Sequence, residues 1–138
     1  MSVKLLDNYG LTFDDVLIVP KRSSIYSRKD VSLKTRLVGD LTLDLPIISA
    51  NMDTVTELGM ARAMHGLGGL GVIHRFIPDA AQHAGMVAAT PGHKVLAVGV
   101  KERDLDKIPL VEGLDAVLID VAHGHSDRVM ETIQAIRE

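Results

Sequence analysis

Four short apolar runs recur along the chain: LPIISANM (45–52), GGLGVIHRF (68–76), KVLAVGV (94–100) and DAVLIDVA (115–122). Each is continuous rather than alternating, the pattern of a strand buried on both faces. Each is followed by a segment with helical spacing. After the first run comes DTVTELGMARAMHGLG, with Thr54 or Thr56 as candidate caps and Leu58, Ala61, Met64 and Leu67 at three-residue steps. Gly66 and Gly68 close it. After the second comes IPDAAQHAGMVAATPG, with Pro78 near the first helical position and Pro91-Gly92 as terminator. Pro109 in KERDLDKIPLVEGL rules against a long helix after the third run. In HSDRVMETIQAIRE, Ser126 suits an N-cap, Asp127 the first turn, and Val129, Ile133 and Ile136 an apolar stripe.

The pattern predicts an α/β fold: residues 1–44 as an N-terminal extension of short strands or loops, broken by Pro20, and residues 45–138 as four βα units. Crossovers of this length impose parallel strands and right-handed units. Four such units are half of a (β/α)₈ barrel. They also fit a small open doubly wound sheet, and spacing alone does not separate the two. Half a barrel leaves strand edges and one sheet face uncovered, so a dimer or higher oligomer is expected.

Composition narrows this reading. The 138 residues fit one domain, with 46% hydrophobic and 24% charged residues. Aromatics are 3% and Trp is absent, so the core rests on aliphatic side chains. The formal charge is −3 and no basic run interleaves with aromatics, which gives nucleic-acid binding little support. The apolar runs are too short to span a bilayer, and MSVKLLDNYG has no signal-peptide apolar region, so a cytoplasmic protein is expected. The chain has no cysteine, which excludes disulfides, thiolate nucleophiles and Cys-bound metals within it.

Residues 66–71, GLGGLG, spell a literal G-x-G-x-x-G. The dinucleotide fingerprint must follow a strand and open a helix. Here the order is reversed, and the glycines read as a helix end and a tight loop into a strand.

Ligands of parallel α/β folds bind beyond the carboxyl ends of the strands. Those ends carry Ser49, Asn51, Met52 and Asp53; His74 and Arg75; Gly99 and Val100; and Asp120, His123, Gly124, His125 and Ser126. Asp120 ends an oily strand, where a carboxylate is costly unless something pairs with it. Metal binding by Asp120, His123 and His125 is weakly supported, because a His-x-His pair in a loop is not the spacing of a helical zinc site. The histidines also fit hydrogen bonding to loop backbone, and Asp120 fits recognition of a hydroxyl or amide. Arg75 is a candidate anion contact or a surface residue, and Lys21, Arg22, Arg28 and Lys29 a phosphate-contacting arm or a solvated loop.

LTFDDVLIVPKRSSIYSRKDVSL, PIISANMDTVTE, GGLGVIHRF, VGVKE and LIDVAHGHS together resemble the IMP dehydrogenase/GMP reductase family, in that family's order and over nearly the whole chain. The resemblance implies a TIM barrel, a homotetramer, a purine mononucleotide (GMP or IMP) and a nicotinamide cofactor. The DVA after the fourth strand, SANMDT, HRF and KRSSIYSRKDVSL look reductase-like; SANMDTVTE and GGLG are also close to the dehydrogenase pattern. The CBS modules usual in dehydrogenases are absent. The reductase reading is the favoured one, with the dehydrogenase as the alternative.

By the same resemblance Ser27 and Arg28 lie near the cofactor, where a guanidinium would grip the 2′-phosphate of NADPH. Asp120, Val121 and Ala122 would line the cofactor site, and Ser49 and Met52 would touch the nucleotide. Arg75 stands where the family usually has Lys, near the reacting centre, and a guanidinium is not readily deprotonated. The implied reaction is GMP with NADPH to IMP and ammonia; a dehydrogenase would use NAD. The family's catalytic cysteine loop, phosphate-binding segments and frequent monovalent-cation site fall beyond these 138 residues. A fragment, one half of a split enzyme completed by a second chain, and a non-catalytic relative are therefore all compatible, and the chain alone is expected to be inactive.

Overall fold

A computed structural model describes residues 10–138; the first nine residues of the expected extension lie outside the described residues. The chain divides into two compact units, with residues 10–31 in the first and Ser32–Glu138 forming the second.

In the first unit every described residue is exposed, and the structure consists of two single 3₁₀ turns, Phe13–Asp15 and Arg28–Asp30. Each turn is held by a reciprocal cap. The Asp15 carboxylate accepts from the Thr12 amide at 2.8 Å, and Asp30 accepts from the Ser27 amide at 3.2 Å. The Ser27 hydroxyl in turn accepts from the Lys29 amide at 3.2 Å.

The second unit opens with an antiparallel hairpin, β1 (Thr35–Val38) and β2 (Leu41–Leu43), turned at Gly39 with φ +53°. The four apolar runs follow as β3 (Ile48–Ser49), β4 (Leu70–Gly71), β5 (Val95–Val98) and β6 (Ala116–Ile119). β3 pairs with β4 and β5 with β6, all parallel, and a parallel bridge from Ile73 to Leu96 joins the two pairs. The strands thus lie side by side in chain order, and neither β3 nor β6 has a strand on its outer edge among the described residues.

Side chains alternate across this sheet with a period of two. Leu70, Val72, Val95 and Ala97, joined by Ala116 and Leu118, pack with Leu41 and Leu43 of the hairpin. Ile73, Leu96 and Val98, joined by Val117 and Ile119, pack with Ala61, Ala84, Val87 and Val111 from the crossovers. Helices from two crossovers therefore share one face, while the hairpin covers the other. A doubly wound sheet would carry helices on both. Burying each aliphatic side chain contributes about 1.5–3 kcal/mol. β5 is buried throughout, whereas the edge strand β6 is half-buried.

The helices are α1 (Leu58–Gly66), α2 (Ala80–Ala88), α3 (Glu102–Leu105) and α4 (Asp127–Arg137). Two expected starts need correction. Glu57, not Thr54 or Thr56, occupies the N-cap of α1, because the Thr56 hydroxyl turns inward and donates to the Ala50 carbonyl at 2.6 Å. Asp79 caps α2 by accepting from the Gln82 amide at 2.6 Å, which leaves Pro78 one residue outside the cap. α3 stops after one turn, and Pro109 lies in a separate 3₁₀ turn, Ile108–Leu110. Ser126 is at the N-cap of α4, and Val129 and Thr132 are its buried residues.

The GLGGLG segment runs from the end of α1 into β4, as its order requires. Gly68 takes φ +81°, a conformation costly for other residues. A Cβ on Gly71 would collide with the Ala61 backbone, so this glycine sets how closely α1 approaches β4.

Candidate functional site at the strand ends

Because β3 to β6 are parallel, their carboxyl ends share one rim, and residues 49–53, 74–76, 99–100 and 120–126 gather there. Asp120 follows β6 directly. Its amide donates to the Val98 carbonyl at 2.8 Å, so it extends the β5–β6 pairing by one residue and falls in step with Ala116 and Leu118. Arg75, on the loop after β4, donates from Nε to Asp120 Oδ2 at 3.0 Å. The two side chains are 29% and 30% exposed, so the pair is partly screened and worth roughly 1 kcal/mol. Its larger effect is geometric. It holds one carboxylate oxygen and leaves Oδ1 without a hydrogen-bond partner among the described residues.

Two neighbours shape the reach of Arg75. Its guanidinium carbon stands 4.5 Å from the centroid of the Phe76 ring, within cation–π range. Between β4 and β6 lies the end of β5, at Gly99. A Cβ there would come within 3.4 Å of Arg75 Nη1 and 2.5 Å of Asp104 Oδ2. The glycine thus leaves the lane through which Arg75 crosses to Asp120.

At the end of β3, Ser49 Oγ lies 2.8 Å from Thr56 Oγ1. Thr56 has spent its single proton on Ala50, so Ser49 donates here and keeps its lone pairs free. Met52 is 52% exposed on the following loop. Val121 is half-buried, while Ala122, His123 and His125 are exposed. Ser27 and Arg28 belong to the first unit, where the Ser27 hydroxyl accepts the cap bond from the Lys29 amide and keeps its own proton to donate, and Arg28 has no ion-pair partner among the described residues. Among the described residues no group of three His, Cys, Asp or Glu side chains could hold a metal ion.

Behind the rim lies a set of buried polar groups, of which sequence reasoning named His74 as a strand-end residue but missed His83, Asp104 and Lys107. His74, His83, Asp104 and Lys107 are 5%, 0%, 8% and 6% exposed. Lys107 Nζ donates to the carbonyls of Ile77 at 3.1 Å and Arg75 at 3.4 Å. Neither ring nitrogen of His83 has a hydrogen-bond partner; the Ile73 carbonyl lies near it without meeting hydrogen-bond geometry. Burial, then the charges of Lys107 and His74, push the His83 pKa down to about 4. His74 is likewise without a hydrogen bond, with Glu57 Oε1 at 3.6 Å from Nε2.

The sequence model of the IMP dehydrogenase / GMP reductase domain matches residues 10–138. An inosine-5′-monophosphate dehydrogenase of Nitrosopumilus maritimus is 59% identical over 68 residues, 49% of this chain and 14% of that protein. A GMP reductase of Leishmania donovani is 51% identical over 67 residues, again 49% of this chain and 14% of that protein. The crystal structure of an inosine 5′-monophosphate dehydrogenase from Legionella pneumophila superposes with a TM-score of 0.81 at 39% identity, covering 91% of this chain and 40% of that one. The chain therefore spans well under half the length of the proteins it matches.

Proposed function

The chain belongs to the IMP dehydrogenase/GMP reductase family, and from that premise we propose that it is the leading part of a purine-nucleotide oxidoreductase, with Asp120 and Arg75 facing the ligands. The observation that carries this reading is the Asp120–Arg75 pair at the shared carboxyl rim of four parallel strands in chain order. Residues 45–138 are read as the first four βα units of a TIM barrel. Helices confined to one sheet face support this, as does a groove of about 800 Å³ beside the free edge of β6. Val117, Ile119, Ile133 and Ile136 line that groove, which further βα units, on this chain or a second one, would cover.

The rim suits a nicotinamide cofactor in one testable respect. Asp120 presents an unengaged, part-exposed carboxylate oxygen, an acceptor for a ribose hydroxyl or a carboxamide. By the family resemblance the half-buried Val121 and the exposed Ala122 would line the same cofactor site. Ser49 and the exposed Met52 would meet the nucleotide, the thioether packing against the base. Arg75 would hold Asp120 in orientation through its Nε–H, acting as a fixed cation. Exposed Ser27 and Arg28 would take the 2′-phosphate of NADPH. When bound, the cofactor supplies or accepts the hydride; the residues here bind and orient.

The reductase reading, GMP with NADPH to IMP and ammonia, rests on Asp120-Val121-Ala122 and on Ser27-Arg28. The dehydrogenase, with NAD and IMP, is the second reading, favoured by the 59% identity to a dehydrogenase against 51% to a reductase. The test is NADPH oxidation with GMP, and NAD reduction with IMP, by the 138-residue chain alone and mixed with the remaining segment of the Legionella relative. Activity on mixing, lost in Asp120→Ala, is the expected result. Activity of the cysteine-free chain alone would refute the reading, as would mixed activity indifferent to Asp120.

A further inference from the structure

Behind the rim, one buried cation reaches across from the next crossover to the loop that carries Arg75. Lys107 lies between α3 and the 3₁₀ turn that contains Pro109, in the crossover from β5 to β6. Its side chain is buried, and no carboxylate lies within ion-pair distance of its ammonium among the described residues. A buried ammonium without a counter-ion costs several kcal/mol unless dipoles solvate it. Here they do. Its partners are the carbonyls of Arg75 and Ile77, two residues apart on the β4–α2 loop. An ammonium offers three donors on a compact head, and two of them fix this loop from within.

The neighbours agree with that task. His83 stands close enough for the Lys107 charge to act on it and remains neutral near pH 7, so it does not compete as a second cation. On the far side of the loop, Arg75 leaves the same backbone and runs past Gly99 to Asp120. The crossover after β5, the loop after β4 and the end of β6 are thus tied in series through Lys107, Arg75 and Asp120. We propose that Lys107 is a positioning residue: by holding the Arg75 and Ile77 carbonyls it sets the distance at which Arg75 meets Asp120. From the proposed function the inference takes only that the Arg75–Asp120 pair faces the ligands.

The test uses the full 138-residue chain and its variants Lys107→Met and Lys107→Arg. The direct readout is hydrogen exchange of the Arg75 Nε–H, assigned by its loss in Arg75→Lys. In Lys107→Met, with the far-ultraviolet circular dichroism of wild type, protection of this proton should fall about tenfold, as expected for a lost hydrogen bond to a charged group. Lys107→Arg, whose fork can serve the same two carbonyls, should restore it. Wild-type protection in folded Lys107→Met overturns the proposal. A measurement on wild type stands whether or not the variant folds: the Lys107 ammonium should exchange slowly and show proximity to the Arg75–Ile77 backbone, and its absence there also overturns the proposal. NADPH affinity measured by its own fluorescence keeps the two claims apart. Failure of wild type to bind counts against the proposed function alone, while the Arg75 proton still decides the role of Lys107.

Discussion

His83 provides the sharpest quantitative test of how this core is built. The ring sits in α2 with 0% exposure and no hydrogen bond to either nitrogen. Its pKa falls from 6.5 to about 4, first through burial and then through the charges of Lys107 and His74. Above pH 6.5 the ring is neutral in both the folded and the unfolded chain, and its contribution is fully present. As pH falls below that value the unfolded chain takes up a proton while the folded chain does not, until about pH 4. Linkage then gives a loss of about 2 kcal/mol at pH 5 and a ceiling of about 3 kcal/mol in stronger acid. The perturbation to pair with it is His83→Leu. Because neither nitrogen is bonded, an apolar side chain of similar size forfeits nothing at pH 7 and should leave stability equal or higher. Urea unfolding of both proteins at pH 7 and pH 5 measures the difference of differences, from which the other five histidines cancel. Wild type should lose about 2 kcal/mol more than the variant on acidification, roughly 1 M in urea midpoint. Equal losses, within about 0.5 kcal/mol, would refute the account of a neutral, unpartnered ring beside a buried ammonium.

Gly71→Ala should destabilise by about 2 kcal/mol or more, since the new methyl meets the Ala61 backbone rather than a side chain that can turn aside. Gly59→Ala, on the exposed face of the same α1 with nothing within 4 Å, should instead stabilise by up to about 1 kcal/mol, and thermal melts of the two variants check the contrast. Leu43→Ala, which empties a 3% exposed position in the hairpin-side cluster, should cost about 2–4 kcal/mol and increase binding of a hydrophobic dye.

The sheet was readable because its signal is local. Continuous aliphatic runs at 45–52, 68–76, 94–100 and 115–122 each contain a parallel strand, and Pro109 did shorten the third helix. Spacing left open half a barrel or a small open doubly wound sheet, because the side on which a helix packs, as Ala61, Ala84 and Val87 do on one face, is set by tertiary contacts that no local pattern reports. Asp120 at the rim was also legible, since an apolar strand seldom ends in an unpaired carboxylate. Its partner was not, because Arg75 lies 45 positions away. Lys107 read as one charge among many, and its carbonyl partners lie 30 and 32 residues earlier. Thr56 has the chemistry of a cap, but its hydroxyl is taken by the Ala50 carbonyl. The fate of such side chains is decided by what the tertiary fold brings opposite them.

The hairpin has a consequence for how such a protein can change. Leu41 and Leu43 floor one face of the sheet, and His93, just before β5, grips the Thr42 carbonyl through Nε2 at 3.0 Å, which pins that floor to the amino ends of the strands. The rim residues 74–76, 99–100 and 120–126 lie at the opposite, carboxyl ends of the same strands. The exposed loop residues there, such as Ala122, His123 and His125, can vary while that foundation stays put, so the two ends of the sheet are free to diverge at different rates.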